Sequence, residues 1–413
     1  MKLSRFFLSF VIVSMLLVLV LASASQAHAD SLVVRRRNSQ SQSISFMQIA
    51  GGNIVKQDGT QAYLDGLNYK DQFKSRLNED MSKTADWKGI QDDFGGMASL
   101  GAKTIRVWFN WIYYEPTPGQ LDHDQMTSHM QKVVDIAKAN GLFIVITIYV
   151  KNVWNKGAPV ANWLQADATS AKTDPDDPNF WLNDGDFPGQ QRALFVNLWS
   201  RISSQFKNEP TIAAYDLINE PFNKYYDQQP SWVQGVPDSD PHYPLKSLYD
   251  LALSAVRANG DNHIVILDYN WVYTYDMVFP RPSSDGQVLY DVHFYNTAAG
   301  NSVQGWDVTQ KSVGPWSGKA PTGEQVSYTY PDVTSAHDKT ALRSRFTFLV
   351  NAQLGGYPIY IGEFGLTENT SYNTDVASLV VELGFAGLTY FEYCSDETIG
   401  AVQVLTPIMA FIR

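Results

Sequence analysis

From residue 62 onward, short apolar runs alternate with longer amphipathic stretches. The runs at 62–68, 102–108, 142–149, 211–218, 264–267, 288–294, 358–361 and 387–393 are rich in β-branched residues and apolar at nearly every position. That pattern predicts strands buried on both faces, as in a parallel sheet covered by helices. Between them, 126–140, 190–207, 245–259 and 337–354 read as helices. Gly101, Gly141 and Gly260 follow helix-like stretches, where a left-handed cap suits a helix end. Strands alternating with helices in this way predict an α/β fold, a single (β/α)8 barrel over 46–413. A doubly wound open sheet is the alternative, disfavoured because no glycine-rich phosphate loop follows the first strand. Ahead of the barrel, 46–64 reads as a short hairpin with Gln57-Asp58-Gly59-Thr60 as its turn.

Two insertions interrupt the alternation, 151–189 and 296–336, each after the C-terminal end of a strand and each carrying tryptophans. Loops longer than about 15 residues are commonly functional, and the tryptophans favour that reading here. The N-terminus differs in kind. Lys2 and Arg5 accompany an apolar run from Phe6 to about Ala22, and Ala27-His28-Ala29 follows, the layout of a signal peptide over 1–29. The run is short for the roughly 20 residues of a spanning helix. Residues 30–45, polar and Ser/Gln-rich with Arg35-Arg36-Arg37 inside, read as a flexible linker. A secreted protein is therefore expected, with no membrane association after cleavage. Cys394 is the only cysteine, so no internal disulfide forms and a large core must hold the fold together. The net charge of −11 argues against nucleic acid or anionic membrane as partners and fits a neutral substrate. A monomer is expected.

Catalytic residues of a barrel sit at the C-terminal ends of its strands. Asn-Glu-Pro occurs twice around the fourth strand. Asn208-Glu209-Pro210 precedes it and falls at the opposite face, whereas Asn219-Glu220-Pro221 ends it and points into the catalytic face. Glu363, in Tyr360-Ile361-Gly362-Glu363-Phe364-Gly365, follows the short strand three further on. Two such carboxyl groups suit glycoside hydrolysis, whose retaining version places them about 5–5.5 Å apart so that one attacks the anomeric carbon. Asp291-Val292-His293-Phe294-Tyr295 sets His293 and Tyr295 two apart, on one side of a strand. Arg106 lies inside the second strand, directed into the barrel, where burial demands a carboxylate partner. The 7 histidines include no close pair at ligand spacing, so neither a metal nor another cofactor is expected.

The run Ala214-Tyr215-Asp216-Leu217-Ile218-Asn219-Glu220-Pro221-Phe222, with Ile361-Gly362-Glu363-Phe364-Gly365, resembles glycoside hydrolase family 5. That is the cellulase and β-mannanase family of retaining (β/α)8 enzymes. The resemblance extends from about residue 50 to the C-terminus and matches four strand ends in order. It implies Glu220 as acid/base and Glu363 as nucleophile. It further implies that Asn219 contacts the sugar 2-hydroxyl, that Arg106 and Tyr295 hold the nucleophile, and that His293 borders the acid/base. The chemistry agrees, since the acid must hold its proton near neutral pH while the nucleophile stays ionised.

Two departures bear on the substrate. The third strand ends Ile148-Tyr149-Val150-Lys151-Asn152-Val153-Trp154 rather than in a histidine motif. The Asn-x-Trp element, followed by Trp163, looks more like the β-mannanase branch. In the eighth strand, Phe391 stands where a tryptophan platform is expected. For sugar stacking the pool is Trp154, Trp163, Trp181, Trp232, Trp271, Trp306 and Trp316, about half of them core residues. The leading expectation is an endo-acting β-glycanase on a plant-type polysaccharide: β-1,4-glucan, glucomannan or mannan. An exo-acting β-glucosidase or exo-β-1,3-glucanase is the alternative, and a non-catalytic carbohydrate-binding barrel is the reading from another class.

Overall fold

The eight apolar runs close into one parallel barrel. The computed structural model describes residues 45–78, 84–115, 120–149, 191–219, 244–268, 285–294, 358–365, 370–393 and 407–413, with 318–319, 325–326 and positions 339, 343 and 346. A hairpin, β1 (Met47–Ala50) and β2 (Asn53–Lys56), comes first. The first half of the barrel is β3 (Gly66–Tyr69), β4 (Thr104–Asn110), β5 (Phe143–Tyr149) and β6 (Ile212–Asp216). The second half is β7 (Ile264–Asp268), β8 (Val288–Phe294), β11 (Ile359–Phe364) and β12 (Gly387–Tyr390), and β12 returns to β3. A separate small ribbon pairs β9 (Gly318–Lys319) with β10 (Gln325–Val326). The described helices are α1 (Asp71–Leu77), α2 (Trp87–Leu100), α3 (His123–Ala139), α4 (Gln191–Phe206), α5 (Pro244–Ala258) and α6 (Thr370–Glu382).

Every residue of β4 through β8 is buried, as strands covered on both faces require. The helices add the outer layer. In α3, Met126, Met130, Val133, Val134 and Ala137 recur at helical spacing on the buried face, each larger one contributing roughly 1.5–3 kcal/mol by leaving water. Asp122 caps this helix by accepting from the Gln125 amide at 2.9 Å, and Asp86 does the same for α2 through Gly89. Gly101 ends α2 at φ 102°, the left-handed cap expected of it. Trp199 locks α4 onto β6, its ring tilted against that of Tyr215 at 5.5 Å and its indole donating to the Leu217 carbonyl at 3.2 Å.

Three details differ from the sequence reading. The hairpin turns at Gly51-Gly52, both at positive φ, because consecutive glycines accept the left-handed turn that matches strand twist. Residues 57–60 form a second turn, which brings Gln61 back beside Val55. The strand expected over 358–361 continues to Phe364 after a register shift, so Glu363 lies within it. The strand expected over 387–393 stops at Tyr390. There the chain turns, with the Phe391 amide bonded to the Phe364 carbonyl and the Tyr393 amide to that of Asn68. Residues 1–44, most of 337–354 and Cys394 lie outside the described residues.

The ladder that closes the barrel is short. Between β12 and β3 only Thr389–Gly66 and Tyr390–Leu67 are in register, whereas β4–β5 runs from Thr104–Phe143 to Asn110–Tyr149. Side chains reinforce this closing ladder. Asp65 accepts from the Leu388 amide and from Arg413, whose guanidinium also reaches the Phe385 carbonyl at 3.2 Å.

Candidate active site

Arg106 organises the C-terminal end of the barrel. It is wholly buried, so each of its donors must find an acceptor. Nε and Nη2 bond Asp216 Oδ2 at 3.0 and 2.5 Å, and Nη2 also bonds Asn219 Oδ1 at 2.8 Å. Nη1 bonds Asn68 Oδ1 at 3.1 Å and Glu363 Oε1 at 3.0 Å. The strand register makes this possible, because alternation turns Arg106 inward from the middle of β4. The guanidinium favours the ionised form of the Glu363 carboxyl it touches. Asp216 is pushed up by burial, opposed chiefly by Arg106.

Beside this fork lies a second group of charges. His293 Nδ1 is 3.4 Å from Glu363 Oε1, and its Nε2 is 3.5 Å from both Asp268 Oδ2 and Asp291 Oδ2. Burial alone would lower the imidazole pKa, but Asp268, Glu363 and Asp291 together hold it well above the usual histidine range. Asp268 is itself raised, first by burial and then by its neighbouring carboxylates. Asp291 accepts from the Gly362 amide at 2.6 Å. A side chain at 362 would collide there, since its Cβ would stand 2.0 Å from Asp291 Oδ2. The ligand-capable atoms of Asp268, Asp291 and His293 come within 4.8 Å of one another. The Arg106 guanidinium, 3.7 Å from Asp291 Oδ2, already supplies positive charge to that group, which reads as an ion-pair network.

Asn219 presents its amide at the same end of the barrel. Its Oδ1 is taken by Arg106, while its buried Nδ2 makes no hydrogen bond among the described residues. Such a donor suits a sugar hydroxyl. Phe391 reaches the rim beside Trp108, ring centroids 5.8 Å apart. The Lys70 ammonium stands 5.0, 5.3 and 5.2 Å from the ring centroids of Trp108, Tyr149 and Phe391. Next to these rings a hollow open to solvent is walled by Trp108, Tyr113, Tyr149 and the lysines Lys70 and Lys74.

The family model for cellulase, glycosyl hydrolase family 5, matches residues 56–398. The chain belongs to glycosyl hydrolase family 5. Family 5 comprises retaining O-glycosyl hydrolases. Beta-xylosidase from Phanerodontia chrysosporium is 22% identical over 254 residues, which are 55% of this chain and 47% of that protein. The match thus spans about half of that relative's length. Endoglucanase A from Paenibacillus barcinonensis is 20% identical over 332 residues, 75% of this chain and 72% of that protein. The crystal structure of an endogalactoceramidase superposes with a TM-score of 0.57 at 19% identity, covering 88% of this chain and 77% of that one, a likeness of fold.

On this family 5 barrel, Arg106, Asn219, His293 and Glu363 converge as the sequence suggested, and Phe391 stands at the rim. His293 stands against Glu363, the candidate nucleophile. Glu220, Tyr295, Trp154 and the other pooled tryptophans lie outside the described residues, although Glu220 directly follows Asn219. Four contributors escaped the sequence reading: Asn68, Asp216, Asp268 and Glu392. The two aspartates had a readable signal, each an acid within or ending an apolar strand on the side that Arg106 and His293 face. Glu392 follows Phe391 on the rim and accepts from the Asp71 amide at 3.0 Å. Burial and the Asp71 carboxylate push its pKa up to about 7.

Proposed function

We propose that this family 5 protein is a secreted retaining endo-β-glycanase acting on β-1,4-glucan, glucomannan or mannan. The observation that carries the reading is the Arg106 fork, which ties Glu363, Asn219 and Asp216 together at the catalytic end of the barrel. Glu363 attacks the anomeric carbon while Glu220 protonates the departing glycosidic oxygen. A glycosyl ester forms on Glu363 and the glycosidic bond breaks. Glu220, now a carboxylate, then takes a proton from water, which attacks the ester and releases the sugar with its original configuration. Arg106 and His293 hold Glu363 in place, and the Asn219 Nδ2 donor meets the 2-hydroxyl. Phe391 offers its ring face to the apolar face of a pyranose.

The match to endoglucanase A over most of both chains supports the endo-acting glucanase reading. The partial match to a β-xylosidase favours exo action as the second reading. Assays on soluble β-glucans, glucomannan, galactomannan and aryl β-glycosides separate the two. Rapid loss of viscosity with mixed oligosaccharide products supports endo action. Release of single sugars from chain ends overturns it. Secretion is read from the leader-like segment over 1–29, and N-terminal sequencing of protein from a secreting host tests it. A mature chain starting near Asp30 is expected, and an intact 2–21 segment means an anchor instead.

A further inference from the structure

We propose that Asp268 is a positioning residue that acts on Glu363 through His293, bracing the Nε2 edge of the imidazole so that Nδ1 is kept against the nucleophile. The proposal rests on the reading of Glu363 as nucleophile. Its basis is a line of side chains across three adjacent strands. The register sets Asp268 of β7 opposite Asp291 of β8, and His293 of β8 opposite Glu363 of β11. His293 lies two residues beyond Asp291 on the same strand face, so Asp268, His293 and Glu363 meet in sequence. The separations are 3.5 Å at Nε2 and 3.4 Å at Nδ1, and all three side chains are buried.

Among the described residues, Asp268 from β7, Asp291 from its own strand and Glu363 from β11 face the imidazole. Arg106 from β4 and Asp216 from β6 carry the next charges, and both feel the charge of Asp291, as does the neutral Tyr360 of β11. Asp291 is already divided. Its Oδ1 accepts from the Gly362 amide at 2.6 Å, and its Oδ2 also faces Arg106. The Asp268 backbone, by contrast, is anchored by the Tyr249 hydroxyl, which donates to its carbonyl at 2.8 Å. Burial raises Asp268, but the imidazolium it faces opposes that rise, and the Asp268 carboxylate so kept ionised favours in turn the doubly protonated ring. That ring carries an N–H on each side, one toward the aspartates and one toward Glu363. The Glu363 carboxylate is thereby aimed, and it is stabilised whenever it is regenerated as leaving group in the second half of the cycle.

Asp268→Asn keeps the shape and removes the charge. On an activated aryl β-glycoside it is expected to lower kcat by about tenfold, equivalent to about 1.4 kcal/mol of transition-state stabilisation, with KM little changed. The alkaline limb of its pH–rate profile should move to lower pH, because an imidazolium with one fewer carboxylate loses its proton sooner. Asp268→Glu, which restores the charge, should recover part of the rate. The titration of His293, followed by NMR of ¹⁵N-labelled histidine, reads the same effect without activity. The wild-type ring should remain doubly protonated through neutral pH and titrate lower in Asp268→Asn. A wild-type ring that is neutral at pH 7 overturns the proposal, even if the variant does not fold. So does an Asp268→Asn enzyme with an unchanged profile and titration. The underlying reading fails separately, if Glu363→Ala still accumulates a glycosyl-enzyme.

Discussion

Arg106 Nη1 lies 3.0 Å from Glu363 Oε1 across the barrel, 257 residues apart in the chain. The same guanidinium holds Asp216 with nothing exposed to water. Removing it leaves three buried carboxylates, Asp216, Asp291 and Glu363, without this cation, and a broken buried pair costs about 3–5 kcal/mol. Arg106→Met is therefore expected to lose activity and to unfold at markedly lower urea concentration. Arg106→Lys keeps the charge but not the fork, and should recover stability better than rate. Full activity in Arg106→Lys would show that the geometry of the fork is dispensable.

The two glutamates are separable by chemistry. Glu363→Ala should form no glycosyl-enzyme, and azide should at best yield an inverted glycosyl azide. Glu220→Ala should suffer most with poor leaving groups, still react with an activated aryl glycoside, and give a retained β-glycosyl azide. Exchange of these products between the variants reverses the assignment. An inverted product from the wild-type enzyme removes the covalent intermediate altogether.

The second Asn-Glu-Pro serves as an internal control. Glu209 accepts from the Thr211 amide and hydroxyl at 3.0 and 2.6 Å and pairs with Lys138 at the N-terminal face. Despite partial burial, the Thr211 bonds and Lys138 hold its carboxyl below the usual range. Glu209→Gln should leave kcat/KM unchanged and cost on the order of 1 kcal/mol or less, since a part-exposed ion pair contributes little. A loss of rate as deep as that of Glu220→Gln would contradict the placement of both motifs.

Glu392 carries a pH signature. Its pKa in the folded protein, about 7 against an ordinary 4.5, means that the folded state holds the proton more tightly than the unfolded one. Stability from this group is therefore complete below about pH 4.5 and is lost as the pH rises toward 7. Glu392→Gln should flatten the melting temperature over that window and raise it relative to wild type near pH 8. An unchanged slope in the variant would mean that the carboxyl is already ionised in mild acid.

The barrel and part of the candidate site's geometry were legible in the sequence, and for a physical reason. Strands buried on both faces must be apolar throughout, so a polar residue such as Arg106 stands out and demands a partner. The position of Asn219 relative to Glu209 followed from the same logic, since the two stand at opposite ends of one strand. Partner identity was less legible. Asp216 and Asp268 meet their cations through register between strands tens to hundreds of residues apart, which no local pattern encodes. Asn68 serves Arg106, Trp108 and the Gly362 carbonyl at once, and a single asparagine among apolar residues gives no hint of that. The hairpin turn was misplaced because Asp58-Gly59 and Gly51-Gly52 are both sound turn signals, and only the pairing decides between them.

The closing ladder between β12 and β3 has a consequence for breathing of the barrel. With so few backbone pairs in register, amide exchange should begin there, at Gly66, Leu67 and their partners, while the interior of β4–β5 stays protected. Asn68 sits on this seam and donates to the Gly362 carbonyl one residue before Glu363, so each opening slackens the Arg106 fork as well. Activity and seam protection should then fade together on warming, below the temperature at which the whole barrel melts. Arg413, clamped to Asp65 at the other end of the same strand, would set that temperature from the face opposite the candidate site.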